Sequence, residues 1–208
     1  MCGRFIDPNL RGTEFELSEI KIQPFKRRYN VRPTDPVLIW SGEPLSAAWA
    51  RWGLIPAWFK GTDPKDWKAT TFNARIEEAK DKPTYRTAWR YGRCLIPIGG
   101  FYEWTGAKGT KQPHFIQSAG NAETLWLAGL ASPWHELLTC TIMTRAANAG
   151  MLDLPDRMPV ILDPEEREAW LAGSEDLTLG AGVALRHHPV QRFGLRDDGP
   201  ELIEEMDY

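Results

Sequence analysis

Residues 93–144 read RCLIPIGGFYEWTGAKGTKQPHFIQSAGNAETLWLAGLASPWHELLTCTIMT. Within them RCLIPI, GFYEW, PHFIQS, LWLAGL and LTCTIMT are short runs of branched and aromatic residues, separated by Gly, Pro, Asn and Ser. Runs of that composition, so bounded, predict successive β-strands. Toward the N-terminus, PVLIW (36–40) and AAWARWGLI (47–55) also read as strands and are followed by a Pro- and Trp-containing loop, PAWFKGTDPKDW. TEFELSEI (13–20) predicts a short helix, and residues 75–90 carry helix-forming patches interrupted at Pro83. Toward the C-terminus, Asp163-Pro164-Glu165-Glu166 supplies an N-cap, a proline at the first helical position and a glutamate at the third. With Gly173 as a stop, this predicts a helix over 164–172, after which ALRHHPV reads as a last strand and ELIEEM as a short closing segment. Strands outnumber helices and do not alternate with them, so the class is α+β and a doubly wound parallel sheet is disfavoured. No repeat, low-complexity tract or long linker interrupts the chain, and one domain over 1–208 is expected.

The bulk properties narrow the function classes. The chain is 42% hydrophobic and 25% charged, close to globular averages. No apolar stretch approaches the roughly 20 residues that span a bilayer, and MCGRFIDPNL lacks a signal-peptide core, so no membrane partner and a cytoplasmic location are expected. The 25 basic and 28 acidic residues leave a net charge of −3, which gives no whole-protein attraction to nucleic acid; any such contact must use a local patch. Ten tryptophans can fill a core or stack on bases, and most are expected in the core. The three cysteines, Cys2, Cys94 and Cys140, show no CxxC or metal-ligand spacing, so neither disulfide, metal nor cofactor is expected. Cys94 and Cys140 lie in apolar runs and read as small buried hydrophobes.

Cys2 differs, because removal of Met1 would expose it as the N-terminal residue. An N-terminal cysteine carries an α-amine and a thiol on adjacent carbons. The amine titrates near about 7.7–8, so a useful fraction is neutral and nucleophilic at physiological pH. It can condense with an aldehyde to an imine, and intramolecular thiol attack then closes a thiazolidine that resists hydrolysis better than a Schiff base. Durable aldehyde capture is the chemistry such a terminus suits. An incidental cysteine at position 2 is the competing reading.

Other segments bear on that choice. MCGRF at the start, YNVRP (29–33), RWGLIPAWF (51–59), FNAR (72–75), RCLIPIGGFYEW (93–104), KQPHFI (111–116) and DRMPVIL (156–162) occur in the order and spacing of one family. The chain resembles the SOS response-associated peptidase (SRAP) family, whose members cross-link to abasic sites in single-stranded DNA. The resemblance runs from residue 2 to about 172, with a weaker echo in HPV (188–190). It implies a largely antiparallel, barrel-like β core with flanking short helices, and single-stranded DNA containing abasic sites as partner. Replication-fork components are further partners it suggests, with a monomeric protein that associates with the nucleoid when engaged on DNA. It implies Cys2 as nucleophile, Asn73 as an orienting polar group and Glu103 as acid/base, serving thiol autopeptidase removal of Met1 and DNA–protein cross-linking. It further points to Arg4, Arg75 and Arg157 as phosphate ligands, to Trp58 and Phe59 as an aromatic wedge, and to Pro33 and Thr144 beside the DNA groove. Each has a plainer reading: Glu103 as a solvent-facing or salt-bridged strand carboxylate, Asn73 as an N-cap of ARIEEAK, the arginines as solvated charges, and Trp58 with Phe59 as a loop anchor.

One position departs from the family pattern. Members usually have a histidine directly before the Asp-Arg pair of DRMPVIL, and here it is Pro155, which removes a neutral-pH acid/base. His114, His135 and His187 lie in other segments, and His188 of the HPV echo reads as structural. Either Cys2, Asn73 and Glu103 suffice and the loss changes only rates, or lesion binding is kept with weakened cross-linking. Two other functions stay open: a thiol peptidase acting on substrates beyond its own Met1, and a non-covalent sensor of lesions in single strands.

Overall fold

The computed structural model describes residues 2–9, 25–42, 44–107, 109–120, 122–147 and 156–206; the helix expected over 13–20 and Pro155 lie outside them. Eleven strands are present among the described residues: β1 (Phe5–Ile6), β2 (Pro36–Ser41), β3 (Ser46–Trp52), β4 (Asn73–Arg75), β5 (Arg93–Ile98), β6 (Gly100–Thr105), β7 (Gln112–Ser118), β8 (Leu125–Trp134), β9 (Leu137–Ala146), β10 (Arg157–Pro159) and β11 (Leu185–Pro189). Two short α-helices, α1 (Arg86–Tyr91) and α2 (Pro164–Leu171), pack against them.

β9 pairs on one edge with β8 and on the other with β3, so the order β9–β3–β2–β5–β8 closes on itself as a five-stranded barrel. Its pairs are antiparallel except for β3–β9, and β4 adds a second parallel pairing along β9. Five strands enclose little space, so interior positions must alternate small residues with a few large ones. Ala50, Cys94, Ala131 and Cys140 are buried there with Ile39, Ile96, Ile142 and Trp52. Gly129 faces Cys94 in register, and a Cβ on it would lie 2.7 Å from Ile96 Cδ1 and 2.9 Å from Cys94 Sγ. Both cysteines are fully buried and unpaired.

The outer barrel face is equally apolar. Leu38, Trp40, Leu95, Trp126 and Leu130 point outward and are covered by Trp89 of α1 and Trp170 of α2. Strands buried on both faces read as continuous apolar runs, as RCLIPI does, and every residue of β5 is buried. α2 starts as expected: the Asp163 carboxylate accepts from the Glu166 N–H at 2.9 Å and the Glu166 side chain accepts from the Asp163 N–H at 3.0 Å. β3 ends at Trp52 rather than at 55, because Gly53 turns the chain with φ 131°, a region that side chains disfavour.

A second sheet, ordered β1–β6–β7–β11, leaves the barrel where β5 turns into β6. Phe5, Phe101 and Ile116 on one face join the barrel core, while Tyr102 and Phe115 on the other pack with Ile6, Val190 and Leu202. The site is built where the first of these faces meets the chain's beginning.

Candidate active site

β1 pairs antiparallel with β6, Phe5 opposite Phe101, and the Tyr102 N–H continues the ladder to Arg4 O at 2.9 Å. This lays the first residues alongside Glu103. Beyond β1, Asp7 is 2% exposed and accepts from the Arg28 guanidinium at 2.7 and 2.9 Å, which fixes the entry of the segment. From the other side, β4 lies parallel to β9 with Asn73 opposite Ile142, and Asn73 Nδ2 donates to Cys2 O at 2.7 Å. Asn73 is therefore a strand residue and not an N-cap; residues 76–85, expected to contain helical patches, form turns. Asn73 Oδ1 is buried with no hydrogen-bond partner.

Cys2 is fully buried. Burial pushes its thiol well above the ordinary value, and the neighbouring Glu103 carboxylate pushes it further. Glu103 is 4% exposed, so the solvent-facing reading fails. Burial raises its carboxyl pKa, while the positive amino terminus and Lys111 pull it the other way. The buried acid and the buried thiol are within electrostatic reach of each other, next to an amide that grips the cysteine carbonyl, and the thiol donates to Arg4 O at 3.8 Å.

The register also brings up a residue that sequence reading left unplaced. Glu103 stands directly opposite His114 in the β6–β7 pair, so both side chains leave the same face of the sheet. His114 Nε2 hydrogen-bonds Thr105 Oγ1 at 3.0 Å, its Nδ1 is buried without a partner, and its ring lies 5.5 Å from that of His187. Burial, then His187 and His188, hold it below the ordinary histidine value. Cross-strand pairing has no local sequence signal, so only the fold could reveal this neighbour. His188 is structural, bonded to Ile203 O at 2.9 Å.

The residues named for DNA contact are spread around this centre. Arg4 is half-buried and donates to Gly3 O at 2.8 Å; burial and the nearby Arg32 lower its pKa. Arg75 is ion-paired with Glu78 at 3.0 Å, and Arg157 with Glu77 at 2.8 Å. Thr144 is buried, and its carbonyl accepts from Arg157 Nη2 at 2.8 Å, so it holds that arginine in place. Pro33 occupies a turn closed by Asp35 N–H to Arg32 O, with Thr34 at φ 82°, a strained value for a β-branched residue. Phe59 is half-buried between Trp67 and Trp134 and anchors its loop, while Trp58 remains 51% exposed, edge-on to Trp67. Six of the ten tryptophans, Trp40, Trp52, Trp89, Trp126, Trp134 and Trp170, are buried, in keeping with the core role expected of most. No group of metal-ligating side chains occurs among the described residues.

Comparison with known proteins agrees with this architecture. Residues 1–193 match the family SOS response associated peptidase (SRAP). The chain is 30% identical to the abasic site processing protein YedK of Escherichia coli (strain K12), over 99% of this chain and 100% of that protein. It is 37% identical to the abasic site processing protein YoqW of Bacillus subtilis (strain 168), over 82% of this chain and 80% of that one. A crystal structure of a protein from Bacteroides thetaiotaomicron has the same fold, with a TM-score of 0.72 at 24% identity, covering 86% of this chain and 85% of the other. Sequence motifs, fold and full-length similarity agree, and the chain belongs to the SRAP family.

Proposed function

We propose that the protein processes abasic sites in DNA, and that it does so by covalent capture of the lesion aldehyde at Cys2 in single strands. The relatives' names support the lesion. What carries the chemistry is the arrangement at residue 2, where Asn73 grips the Cys2 carbonyl at 2.7 Å while buried Glu103 acts on the thiol.

With Met1 removed, by the protein's own thiol or by ordinary processing, the Cys2 amine adds to the aldehyde carbon and gives a carbinolamine. Its hydroxyl leaves as water with a proton from Glu103, whose raised pKa suits it to donate, and an imine forms. The thiol then adds to the imine carbon: the S–C bond forms, the C=N electron pair returns to nitrogen, and the thiol proton reaches that nitrogen through Glu103. The balance is one thiazolidine and one water, with Glu103 returned to its starting state. The buried thiol ionises poorly unaided, which is why an adjacent base matters. Asn73 orients the terminus, converting a bimolecular encounter into a positioned one. Arg4, Arg75 and Arg157 are assigned to phosphates, Trp58 to stacking with Phe59 anchoring its loop, and Pro33 and Thr144 to shaping the groove. Cys2, Asn73 and Glu103 supply two nucleophiles and one proton relay, so the reaction proceeds with Pro155 in place of the usual histidine.

Incubation with an abasic single-stranded oligonucleotide followed by denaturing electrophoresis tests this. Wild type should give a denaturation-resistant adduct. Cys2→Ala and Cys2→Ser, which keep the amine but lack the thiol, should give none unless the imine is first reduced with borohydride. An undiminished adduct in Cys2→Ala overturns the reading.

A further inference from the structure

Two of the arginines assigned to phosphates are already ion-paired, Arg75 with Glu78 and Arg157 with Glu77. On α1 the situation is reversed. Arg86, Thr87, Arg90 and Tyr91 are all exposed and line an open cavity of about 290 Å³ with no acidic side chain in its wall. Neither arginine forms an ion pair among the described residues.

The helix does not need these side chains to stay in place. Its packing face is Tyr85, Ala88 and Trp89, on the opposite side. Like charges four residues apart on a helix destabilise it by about 0.2–0.5 kcal/mol. Tyr91 is 83% exposed and buries almost nothing. Two unneutralised guanidinium groups beside an open aromatic face suit phosphates and a stacked base.

The helix that carries the patch is tied to the candidate active site through its buried side. Tyr85 Oη, at the start of α1, donates to Asn73 O at 3.3 Å, and Trp58 Nε1 donates to Pro83 O at 3.2 Å. The segment leading into α1 is thus bonded to Asn73 and to the exposed Trp58. Arg86 and Arg90 are separated by about 6 Å along the helix axis and lie on the same exposed side of α1.

We propose that this face of α1 is a second contact for single-stranded DNA, outside the lesion pocket, with Arg86 and Arg90 on phosphates of one strand and Tyr91 under a base. The inference rests on the abasic-site reading only for the identity of the polymer, and undamaged DNA tests it separately.

The test is fluorescence anisotropy with a long undamaged single-stranded oligonucleotide across a salt series, for wild type, Arg86→Gln/Arg90→Gln and Tyr91→Ala, each checked for an unchanged melting curve. The double variant should lower the slope of log K against log salt by about 1.4, two phosphates at about 0.7 each. Tyr91→Ala should weaken binding about 5- to 150-fold. Covalent trapping of a lesion flanked by one nucleotide on each side should be the same in all three. Unchanged slope and affinity in both variants overturn the proposal, as does equal loss of trapping on the short substrate, which would place these residues in the lesion pocket instead. Failure of wild type to trap the short substrate would count against the Cys2 chemistry and leave the salt series to decide on α1.

Discussion

Glu103 carries opposite demands of stability and chemistry. Its pKa in the fold lies above the ordinary carboxyl value of 4.5, chiefly through burial. A raised folded value means the acid contributes stability that is fully present below 4.5 and is lost as pH rises through the folded value. Glu103→Gln cannot ionise, so urea unfolding should show its stability gaining on wild type across that window and levelling above it. Each unit between the two values is worth about 1.4 kcal/mol. The same variant should cross-link roughly 10²- to 10⁴-fold more slowly. A variant that loses stability at neutral pH would show that the charged form is favoured in the fold, against this account. Cys2 stands out in the sequence through the chemistry of an N-terminal cysteine, whereas Asn73 and Glu103 are singled out only by the resemblance of FNAR and FYEW to the family. The position of His114 opposite Glu103 was not legible, because a strand register depends on loops whose lengths carry no side-chain label. For the same reason the alternatives for Asn73 stayed even until β4 was seen to pair with β9.

At the scale of elements, the strands were the most readable. RCLIPI, predicted over 93–98, is β5 to the residue, and the capping box at Asp163–Glu166 marks the start of α2. What failed was the segment after Asn73, where helix-forming residues do not form a helix. The backbone there is claimed by long-range bonds, Asn73–Arg75 by β9 and the Ile76 N–H by Thr144 O at 2.9 Å, and only beyond Pro83 does α1 form. Tertiary pairing outweighs a propensity worth a few tenths of a kcal/mol per residue. The tight barrel makes a prediction at this scale. Gly129→Ala would place a methyl group against Ile96 and Cys94 at under 3 Å. Thermal unfolding should show a loss of about 1–3 kcal/mol from overpacking. A neutral result would mean that the barrel interior has room to spare.

Across the whole molecule, the barrel and the second sheet together hold in place the short N-terminal segment on which the proposed capture depends. β1 is held by β6, Asp7 is locked to Arg28, and Asn73 approaches from a strand of the barrel itself, so Cys2 is fixed from both units of the core. The apolar runs indicated a strand-rich α+β chain, while barrel closure through two edges of β9 could be anticipated only through family resemblance, because closure is a property of pairing and not of any one run. A net charge of −3 leaves DNA contact to local arginine groups, which gives salt dependence a diagnostic place in testing them. The central claim is that residue 2 forms the bond to the lesion through both its amine and its thiol. Its most direct test is intact-mass and peptide-mapping spectrometry of the product with abasic single-stranded DNA. The account predicts the mass of the protein lacking Met1 plus the oligonucleotide minus one water, with the modification on Cys2 and no free thiol there. An adduct mapped to a lysine, or a Cys2 thiol still open to alkylation in the product, would contradict it.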